Sequence, residues 1–464
     1  MPIITFSNKT KGILVLIGGI LMHLISGSIH VWSSLNVYLI SYLMHFSPSL
    51  RMYHGFFLAP LGVFSISLSM SLGGFLERNY GPRFIVALGT FIIIFGNILM
   101  YISKNIILDY FALIISGIGV GCNYLIPMRL GMKYFPKNRG VVVGTVQIGL
   151  AITATFMNIF AEMIINPNNE KADILIDGQK YFRYDVAKCV KKYIFVFICC
   201  AFGLSLCCIF CFFPFEEEGN KIIKESIEDK LLTPENDTFN DNNNNKKENL
   251  LNKNNDFDKI NIPLKIAIKT SDFWKLFLCA FLSNVYPPII ANTYRTYAQS
   301  SKHNYSINHL KYLASLFSGF NSFLRLIYGI LFDIYGFKKL LIPGNIIIVI
   351  ISIFFYDSVK YKILFSILMV LTGAVMGIYY SIFPAYVSKK FGIKYSSEIY
   401  GIIFIGFGIA NIIGPSIIFI YNQINDDFSF RYIYYIGGFL SLISLLISVF
   451  YIKEEKNILN INKI

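Results

Sequence analysis

One loop pattern occurs twice in the chain, as GGFLERNYGPR at residues 73–83 and as YGILFDIYGFKK at residues 328–339. Two glycines and one leucine recur at a constant spacing of 255 residues: Gly74 and Gly329, Leu76 and Leu331, and Gly81 and Gly336. Glycines at such positions allow a tight turn between two closely packed helices. Each copy follows a long apolar segment, so the two halves of the chain are built alike.

A second pattern repeats at almost the same spacing. SGIGVGCNYL begins at residue 116 and TGAVMGIYYS begins at residue 372. The matching residues lie 256 apart: Gly117 and Gly373, Gly121 and Gly377, and Tyr124 and Tyr380. Two independent patterns at nearly one spacing indicate an internal duplication. Duplicated halves are typical of secondary transporters, which bind substrate between the halves near the middle of the membrane.

The composition indicates that this chain is embedded in a lipid bilayer. Of its 464 residues, 55% are hydrophobic and only 15% are charged, whereas an ordinary soluble domain has about 25% charged residues. These charges are too few to cover the two or three soluble domains expected for this length. We therefore predict a polytopic membrane protein.

Apolar segments long enough to cross a bilayer, at about 20 residues per helix, occur twelve times in the sequence. They are residues 13–34, 55–76, 84–103, 108–130, 140–163, 193–214, 273–296, 312–334, 340–357, 363–387, 399–421 and 432–452. A polar, Asn- and Lys-rich stretch separates six of them from the other six and cannot bury a core. The predicted domains are a six-helix bundle at 1–215, a disordered cytosolic linker at 216–270 and a six-helix bundle at 271–464.

Basic residues are concentrated in the short loops on one side of the predicted bundle, and the positive-inside rule places that side in the cytosol. Both termini and the linker are therefore predicted to be cytosolic. The multi-pass protein would lie in the plasma membrane or in an organelle membrane. This loop distribution accounts for the net charge of +14, so no nucleic-acid partner is predicted. The first eleven residues are too short and polar for a cleavable signal.

The sequence contains no pattern typical of an enzyme or a metal site. Most of its eight cysteines lie in apolar segments without metal-type spacing, and we interpret them as small buried hydrophobic residues. Neither a convergent nucleophile nor a set of metal ligands is present. We predict no enzymatic activity, no metal and no cofactor.

The repeated loop resembles the glycine–acid–glycine–basic motif of the major facilitator superfamily. The second copy follows this motif closely, whereas in the first copy Glu77 stands one place early and Arg78 occupies the position of the acid. The resemblance implies an all-α fold of twelve transmembrane helices in two six-helix pseudo-repeat halves. It also implies gating or structural roles, with the acid meeting a neighbouring helix N-terminus or a basic residue. These roles fall on Gly74, Glu77, Arg78, Gly81, Arg83, Gly329, Asp333, Gly336 and Lys338.

A closer resemblance is to the oxalate:formate antiporter family and its monocarboxylate-transporter relatives. Five stretches carry it, in the right order and in the right spans: GSIHVWSSL, IPMRLGMKYFPKNRG, SDFWKLFLCAFLSN, NSFLRLIYGILFDIYG and YGIIFIGFGIANIIGP. In the first stretch, His30 stands where the family usually has tyrosine. The resemblance implies transport of small organic anions.

Arg325 is the predicted carboxylate-binding residue. It is the only arginine well inside a predicted span, and an unpaired arginine there is costly unless it faces a cavity or a partner. Its planar guanidinium matches a carboxylate, and the resemblance assigns this role to an eighth-span arginine. The alternative is a structural arginine that is paired with backbone carbonyls or reaches towards the cytosolic loop.

Two departures from the family narrow the substrate class. Where the oxalate-specific member has an eleventh-span lysine, this chain has Phe407. One positive charge balances one carboxylate, which favours a monocarboxylate of the formate, lactate or pyruvate type. Where proton symporters of the family have an aspartate four residues before the arginine, this chain has Asn321. An amide can form hydrogen bonds but cannot carry the proton.

Two histidines could replace that aspartate. His23 and His30 are seven residues apart on one face of the first helix, and histidine titrates near neutrality. The alternative is that they only form hydrogen bonds inside the bundle. Further polar candidates for the substrate site are Tyr124, Gln147, Asn284 and Tyr380. Arg129, near the cytosolic end of span four, is expected to extend towards the aqueous phase instead.

The predicted function is secondary active transport of a small monocarboxylate by alternating access, as proton symport or anion exchange. The predicted partners are a small organic anion, possible coupling protons and the lipid bilayer, and a monomer is expected. Two alternatives remain open at this point. One is a major facilitator transporter of another solute, such as a drug, sugar or amino acid, and the other is a receptor-like member that transports nothing.

Overall fold

The structure is a computed structural model, and it describes residues 7–176, 179–215, 261–300, 305–424 and 430–452. In these residues, eleven helices are long and apolar enough to cross a membrane, and a shorter apolar helix runs from Arg139 to Leu150. The protein is an all-α polytopic membrane protein, as the composition predicts. We number the spans by the twelve predicted segments that the helices occupy.

Spans 1 to 6 lie in the first half of the chain, and three of them are interrupted. Their helices are Asn8–Ser26 and Ser28–Leu43 (span 1), Leu58–Tyr80 (span 2), Pro82–Ile102 (span 3), Ile106–Tyr124 and Ile126–Tyr134 (span 4), Arg139–Ile152 and Asn158–Ile165 with the π-helical turn Thr153–Met157 between them (span 5), and Cys189–Cys211 (span 6). Short helices Met52–Gly55 and Tyr184–Ala187 precede spans 2 and 6.

Spans 7 to 12 lie in the second half, and the first of them is interrupted. Their helices are Ser271–Ser283 and Tyr286–Ser300 (span 7), Ile307–Tyr335 (span 8), Lys338–Ser358 (span 9), Lys362–Phe391 (span 10), Ser396–Ile424 (span 11) and Phe430–Phe450 (span 12). The short helix Leu264–Ala267 precedes span 7.

Spans 1 and 7 are broken at equivalent positions of the two halves. Span 1 breaks at Gly27, where a Cβ would lie 2.6 Å from the Cβ of Thr153 in span 5. Span 7 breaks at Asn284, 257 residues later, just before Pro287 and Pro288. Prolines lack the N–H that would continue the helical hydrogen bonds. Breaks at corresponding positions of duplicated halves are typical of transporter binding sites.

The repeated glycines make the same contact in both halves, between spans 4 and 2 and between spans 10 and 8. In each case a Cβ would lie within 2.6 Å of a backbone carbonyl oxygen. The contacts are Gly117 with Gly62, Gly121 with Ile66, Gly373 with Phe317, and Gly377 with Asn321. The contacted carbonyls are themselves 255 residues apart. The packing therefore repeats with the sequence, as the duplication predicts.

The repeated loops also fold alike. Gly81 has φ 84° and Gly336 has φ 86°, a left-handed conformation that favours glycine. Arg83 donates from Nε to the carbonyl of Phe212 beyond span 6 at 2.7 Å, and Lys338 donates from Nζ to the carbonyl of Val449 in span 12 at 2.7 Å. In both halves, a basic residue of the loop thus fixes the end of the last span. We call this side of the bundle the motif end.

Two predicted loops are partly ordered. Residues 216–260 of the predicted linker lie outside the described residues, but 261–270 are structured, because Ile262 donates its N–H to the carbonyl of Phe391. The predicted disordered linker therefore extends too far, because its last residues, 261–270, are ordered. At the opposite end, Ile174–Ile176 and Gln179–Tyr181 form an antiparallel hairpin.

That hairpin and the residue after it contact the short helix before span 2 and the extended end of span 1. The hydroxyl of Tyr181 accepts a hydrogen bond from the N–H of Met52, and Phe182 donates its N–H to the hydroxyl of Ser41. The first span accordingly reaches Leu43, nine residues beyond its predicted end.

Candidate functional site

The two halves are joined by charged residues at the motif end. Arg78 in span 2 forms an ion pair of 2.6 Å with Glu398 in span 11. Glu77 forms an ion pair with Arg129, which also donates to the carbonyl of Lys394 in the other half at 2.9 Å. Because Arg129 is buried and paired with a carboxylate, the prediction that it extends towards water is wrong.

Asp333 makes the second connection between the halves. Its two carboxylate oxygens accept hydrogen bonds from the N–H groups of Gly140 and Val141, at 2.8 and 2.9 Å. These residues belong to the first turn of the helix that begins at Arg139, where the helix dipole favours a negative charge. This is the contact that the loop motif predicts for the acid. Gly329 and Gly140 permit it, because a Cβ on either would lie 2.2 Å from the other's carbonyl oxygen.

Arg325 belongs to span 8 and lies deeper in the bundle, where its side chain meets span 5. It is 5% exposed. Its Nη1 donates to Oε1 of Gln147 at 3.2 Å, and its Nη2 donates to Oδ1 of Asn321 at 3.2 Å. Gln147 also donates from Nε2 to the carbonyl of Tyr380 at 3.0 Å. These two hydrogen-bond partners of the guanidinium are thus neutral amides.

Aromatic rings pack at this site, and one of them lies against the guanidinium. Its central carbon lies 4.6 Å from the ring centroid of Tyr380, a cation–π geometry. Tyr124 also interacts with Arg325, and its ring lies 4.8 Å from that of His23. Phe407 packs against Tyr380 with centroids 5.2 Å apart. The repeat-related tyrosines therefore lie on the same site, one from each half.

Asn284 contributes a further amide at the break in span 7. Its side chain is fully buried, and neither its oxygen nor its nitrogen has a hydrogen-bond partner in the described residues. The amide lies next to the hydroxyl of Tyr380. A buried polar group without a partner is costly, so this amide is a candidate for contact with a substrate.

Most of the predicted site residues come together around Arg325, whereas the loop residues lie at the motif end. The convergent residues are His23, Tyr124, Gln147, Asn284, Asn321, Arg325 and Tyr380. The side chain of His30 lies outside the described side chains, so its role stays a prediction. The described residues contain no cluster of three or more His, Cys, Asp or Glu that could hold a metal ion.

Sequence reasoning missed two contributors. Ser381 donates to the backbone carbonyl of Arg325 at 2.8 Å, and Phe404 lies between the rings of Tyr124 and Tyr380, at 6.0 and 5.8 Å. Ser381 directly follows a repeated tyrosine, a signal that could have identified it. Phe404 gives no such signal in a chain with 43 phenylalanines.

Comparisons with known proteins agree with this architecture. The family model described as Major Facilitator Superfamily matches residues 276–462. The structure is similar to that of the major facilitator transporter FucP in the outward conformation, with a TM-score of 0.62 and 13% identity over 96% of this chain and 100% of that one. It is also similar to the proton:xylose symporter XylE, with a TM-score of 0.60 and 12% identity over 96% of each chain.

A curated relative is the apicoplast pyruvate carrier 1 of Toxoplasma gondii. It is 24% identical over 202 residues, which cover 34% of this chain and 36% of the relative. The match thus spans about a third of the length of that protein. The second half of the chain thus matches the Major Facilitator Superfamily family model, and the overall fold is similar to that of major facilitator transporters.

Proposed function

We propose that this chain transports a small monocarboxylate, with Arg325 binding the carboxylate group. The observation that carries the proposal is the buried guanidinium, whose side-chain hydrogen-bond partners are the neutral amides of Gln147 and Asn321. A desolvated positive charge with neutral partners is costly in a membrane protein. An anionic substrate would supply the missing negative charge and accept two parallel hydrogen bonds.

The contrast with Arg129 supports this assignment. Arg129 is equally buried, but it is paired with Glu77 and donates to the carbonyl of Lys394. Its charge is therefore balanced within the protein, and it serves the contact between the halves. Arg325 is placed between the halves with its charge available to a ligand.

The surroundings of Arg325 favour one carboxylate over two. Phe407, at the position where the family resemblance places a lysine in the oxalate-specific member, is fully buried and stacks on Phe404 with centroids 4.9 Å apart. An aromatic pair cannot balance a second negative charge in a low-dielectric site. The similarity to a pyruvate carrier agrees with a monocarboxylate substrate of the formate, lactate or pyruvate type.

Transport would proceed by alternating access between the halves. Residues 1–215 and 271–464 are proposed to act as the two moving units. The ion pair of Arg78 with Glu398 and the hydrogen bonds of Asp333 close the motif end. The loop charges predict that both termini, and with them the motif end, face the cytosol. Opening towards the cytosol therefore requires these contacts to break. The similarity to a transporter in its outward conformation agrees with this assignment.

Coupling is proposed to use a proton or a second anion. Asn321 lies beside Arg325 at 3.2 Å and cannot carry a proton. His30 and His23 are the candidates for that role. His23 is fully buried, and its Nδ1 lies 3.1 Å from the carbonyl of Gly19.

The test is uptake by the purified full chain in liposomes. Labelled formate, lactate and pyruvate are offered with and without an inward proton gradient. We expect uptake of at least one of them by the wild type and loss of that uptake in Arg325→Gln. Arg325→Lys is expected to retain part of the uptake, because lysine keeps the positive charge but lacks the planar guanidinium. Absence of uptake of all three acids, or full activity of Arg325→Gln, would contradict the proposal.

A further inference from the structure

The amide of Asn284 differs from the other amides near the site. Gln147 and Asn321 hydrogen-bond Arg325, and Asn411 donates to the carbonyl of Phe407 at 2.8 Å. Asn284 is fully buried, and both of its side-chain polar atoms lack a partner in the described residues. Its oxygen and its two N–H groups thus form no hydrogen bond of normal geometry with the described residues, and the Tyr380 hydroxyl is a polar neighbour.

The position of Asn284 follows from the break in span 7. The helix stops at Ser283 and restarts at Tyr286, so Asn284 stands between two helix ends in the interior of the bundle. The equivalent break in span 1, at Gly27, has no side chain to offer. The two breaks therefore differ in chemistry, and the one in span 7 carries an amide.

Tyr380 connects Asn284 with the carboxylate-binding arginine. The guanidinium of Arg325 lies over the face of its ring, 4.6 Å from the centroid. The hydroxyl at the other end of the ring lies next to the amide of Asn284. The site therefore has a positive group over the face of Tyr380 and a neutral amide next to its hydroxyl, with Phe404 and Phe407 packed against the same ring.

We infer that Asn284 recognises a second, uncharged oxygen of the substrate, so that the site selects oxo- and hydroxy-monocarboxylates over unsubstituted ones. This inference rests on the proposed function and narrows it. An amide can donate to an oxo group and can both donate to and accept from a hydroxyl group. Formate and propionate have no such oxygen and would leave the buried amide unpaired. A dicarboxylate would place its second charge against a neutral amide and two phenylalanines.

The expected selectivity is large enough to measure. A site that is built to hydrogen-bond a substrate oxygen discriminates strongly against the analogue that lacks it, because the buried polar group is then left without a partner. We expect the wild type to transport pyruvate or lactate with a kcat/KM roughly tenfold or more above that of propionate. Propionate is the matched probe, since it has the same three carbons and the same carboxylate.

The test compares pyruvate, lactate and propionate uptake by the full chain in liposomes. Asn284→Leu is expected to lower kcat/KM for pyruvate and lactate about tenfold while leaving that for propionate unchanged or higher. Asn284→Ser, which keeps a small polar group, covers the case in which Asn284→Leu does not fold. It is expected to give an intermediate ratio of pyruvate to propionate uptake.

The control is Asn97→Leu, which removes another buried amide. Asn97 donates to Ile93 and Ser116 between spans 3 and 4, so its loss should affect all three acids alike. The inference is overturned if wild-type uptake of the three acids is equal, or if the Asn284 variants lower all three in proportion. In both of these outcomes the proposed monocarboxylate transport would stand. If the wild type takes up none of the acids, the proposed function itself fails.

Discussion

Arg325 from span 8 lies over the ring of Tyr380 from span 10, with its guanidinium carbon 4.6 Å from the ring centroid. Both side chains are buried, and Gln147 from the other half connects them by donating to the carbonyl of Tyr380 and accepting from Arg325. Arg325, the proposed carboxylate-binding residue, is therefore held by an aromatic face and by a residue of the opposite half.

Replacing the ring should weaken substrate binding. A desolvated cation–π contact is worth up to about 2 kcal/mol, and its loss in Tyr380→Leu would leave the guanidinium less firmly placed. We expect KM for the transported acid to rise roughly 10-fold in Tyr380→Leu with a smaller change in Tyr380→Phe, which keeps the ring. Uptake kinetics in liposomes measure both. Equal KM values for the wild type and Tyr380→Leu would exclude this role of the ring.

Removing an acid from the contact between the halves should favour opening at the motif end. Glu398→Gln leaves Arg78 without its ion-pair partner across the interface. Ser397 is buried beside Gly74, so a Ser397→Cys reporter should react faster with a membrane-impermeant maleimide in the Glu398→Gln background. The rate is compared with that of Ser397→Cys alone, and the parent chain without the reporter gives the background from native cysteines.

The matched control for this change is Asp173→Asn. It removes an acid from the exposed pair with Arg183 in the loop at the opposite end, away from the contact at the motif end. We expect no change in the labelling rate of the reporter. A rate that is unaltered by Glu398→Gln would mean that the ion pair does not hold the motif end closed.

Adding a methyl group at the repeated glycines should destabilise both halves. A Cβ at Gly121 would lie 2.4 Å from the carbonyl oxygen of Ile66, and one at Gly377 would lie 2.5 Å from that of Asn321. Overpacking of this kind costs about 1–3 kcal/mol, so Gly121→Ala and Gly377→Ala should each lower the thermal midpoint in detergent. Gly203→Ala is the control, because a Cβ there meets nothing within 4 Å. A drop of the same size in Gly203→Ala would contradict the packing argument.

Local patterns were sufficient to predict part of this site. Asn321 and Arg325 are four residues apart on one helix, and the repeated Tyr124 and Tyr380 mark equivalent places in the two halves. These relations depend on helical periodicity and on duplication, both of which can be seen in the sequence. Helical periodicity and duplication together explain why these residues converge on one site.

Ion pairs at the motif end were not predictable in the same way. The pairs of Glu77 with Arg129 and of Arg78 with Glu398 join residues far apart in the chain. Their formation depends on how whole helices pack, and no local signal distinguishes a buried ion pair from charges at a helix end. The prediction for Arg129 failed for this reason. The shift of Glu77 by one place in the loop motif is explained by the same contacts, because Glu77 and Arg78 meet different partners.

We predict that proton coupling depends on His30. His23 packs against Tyr124, and its Nδ1 lies within hydrogen-bonding distance of a carbonyl of its own helix. Its Nε2 has no hydrogen-bond partner in the described residues, and we propose a structural role for this histidine in the first half. We therefore expect an inward proton gradient to stimulate wild-type uptake and His23→Gln uptake, but not His30→Gln uptake. The three proteins are compared in liposomes at equal internal and external pH and again with a gradient. Stimulation that survives in His30→Gln and disappears in His23→Gln would transfer the proton-carrying role to His23.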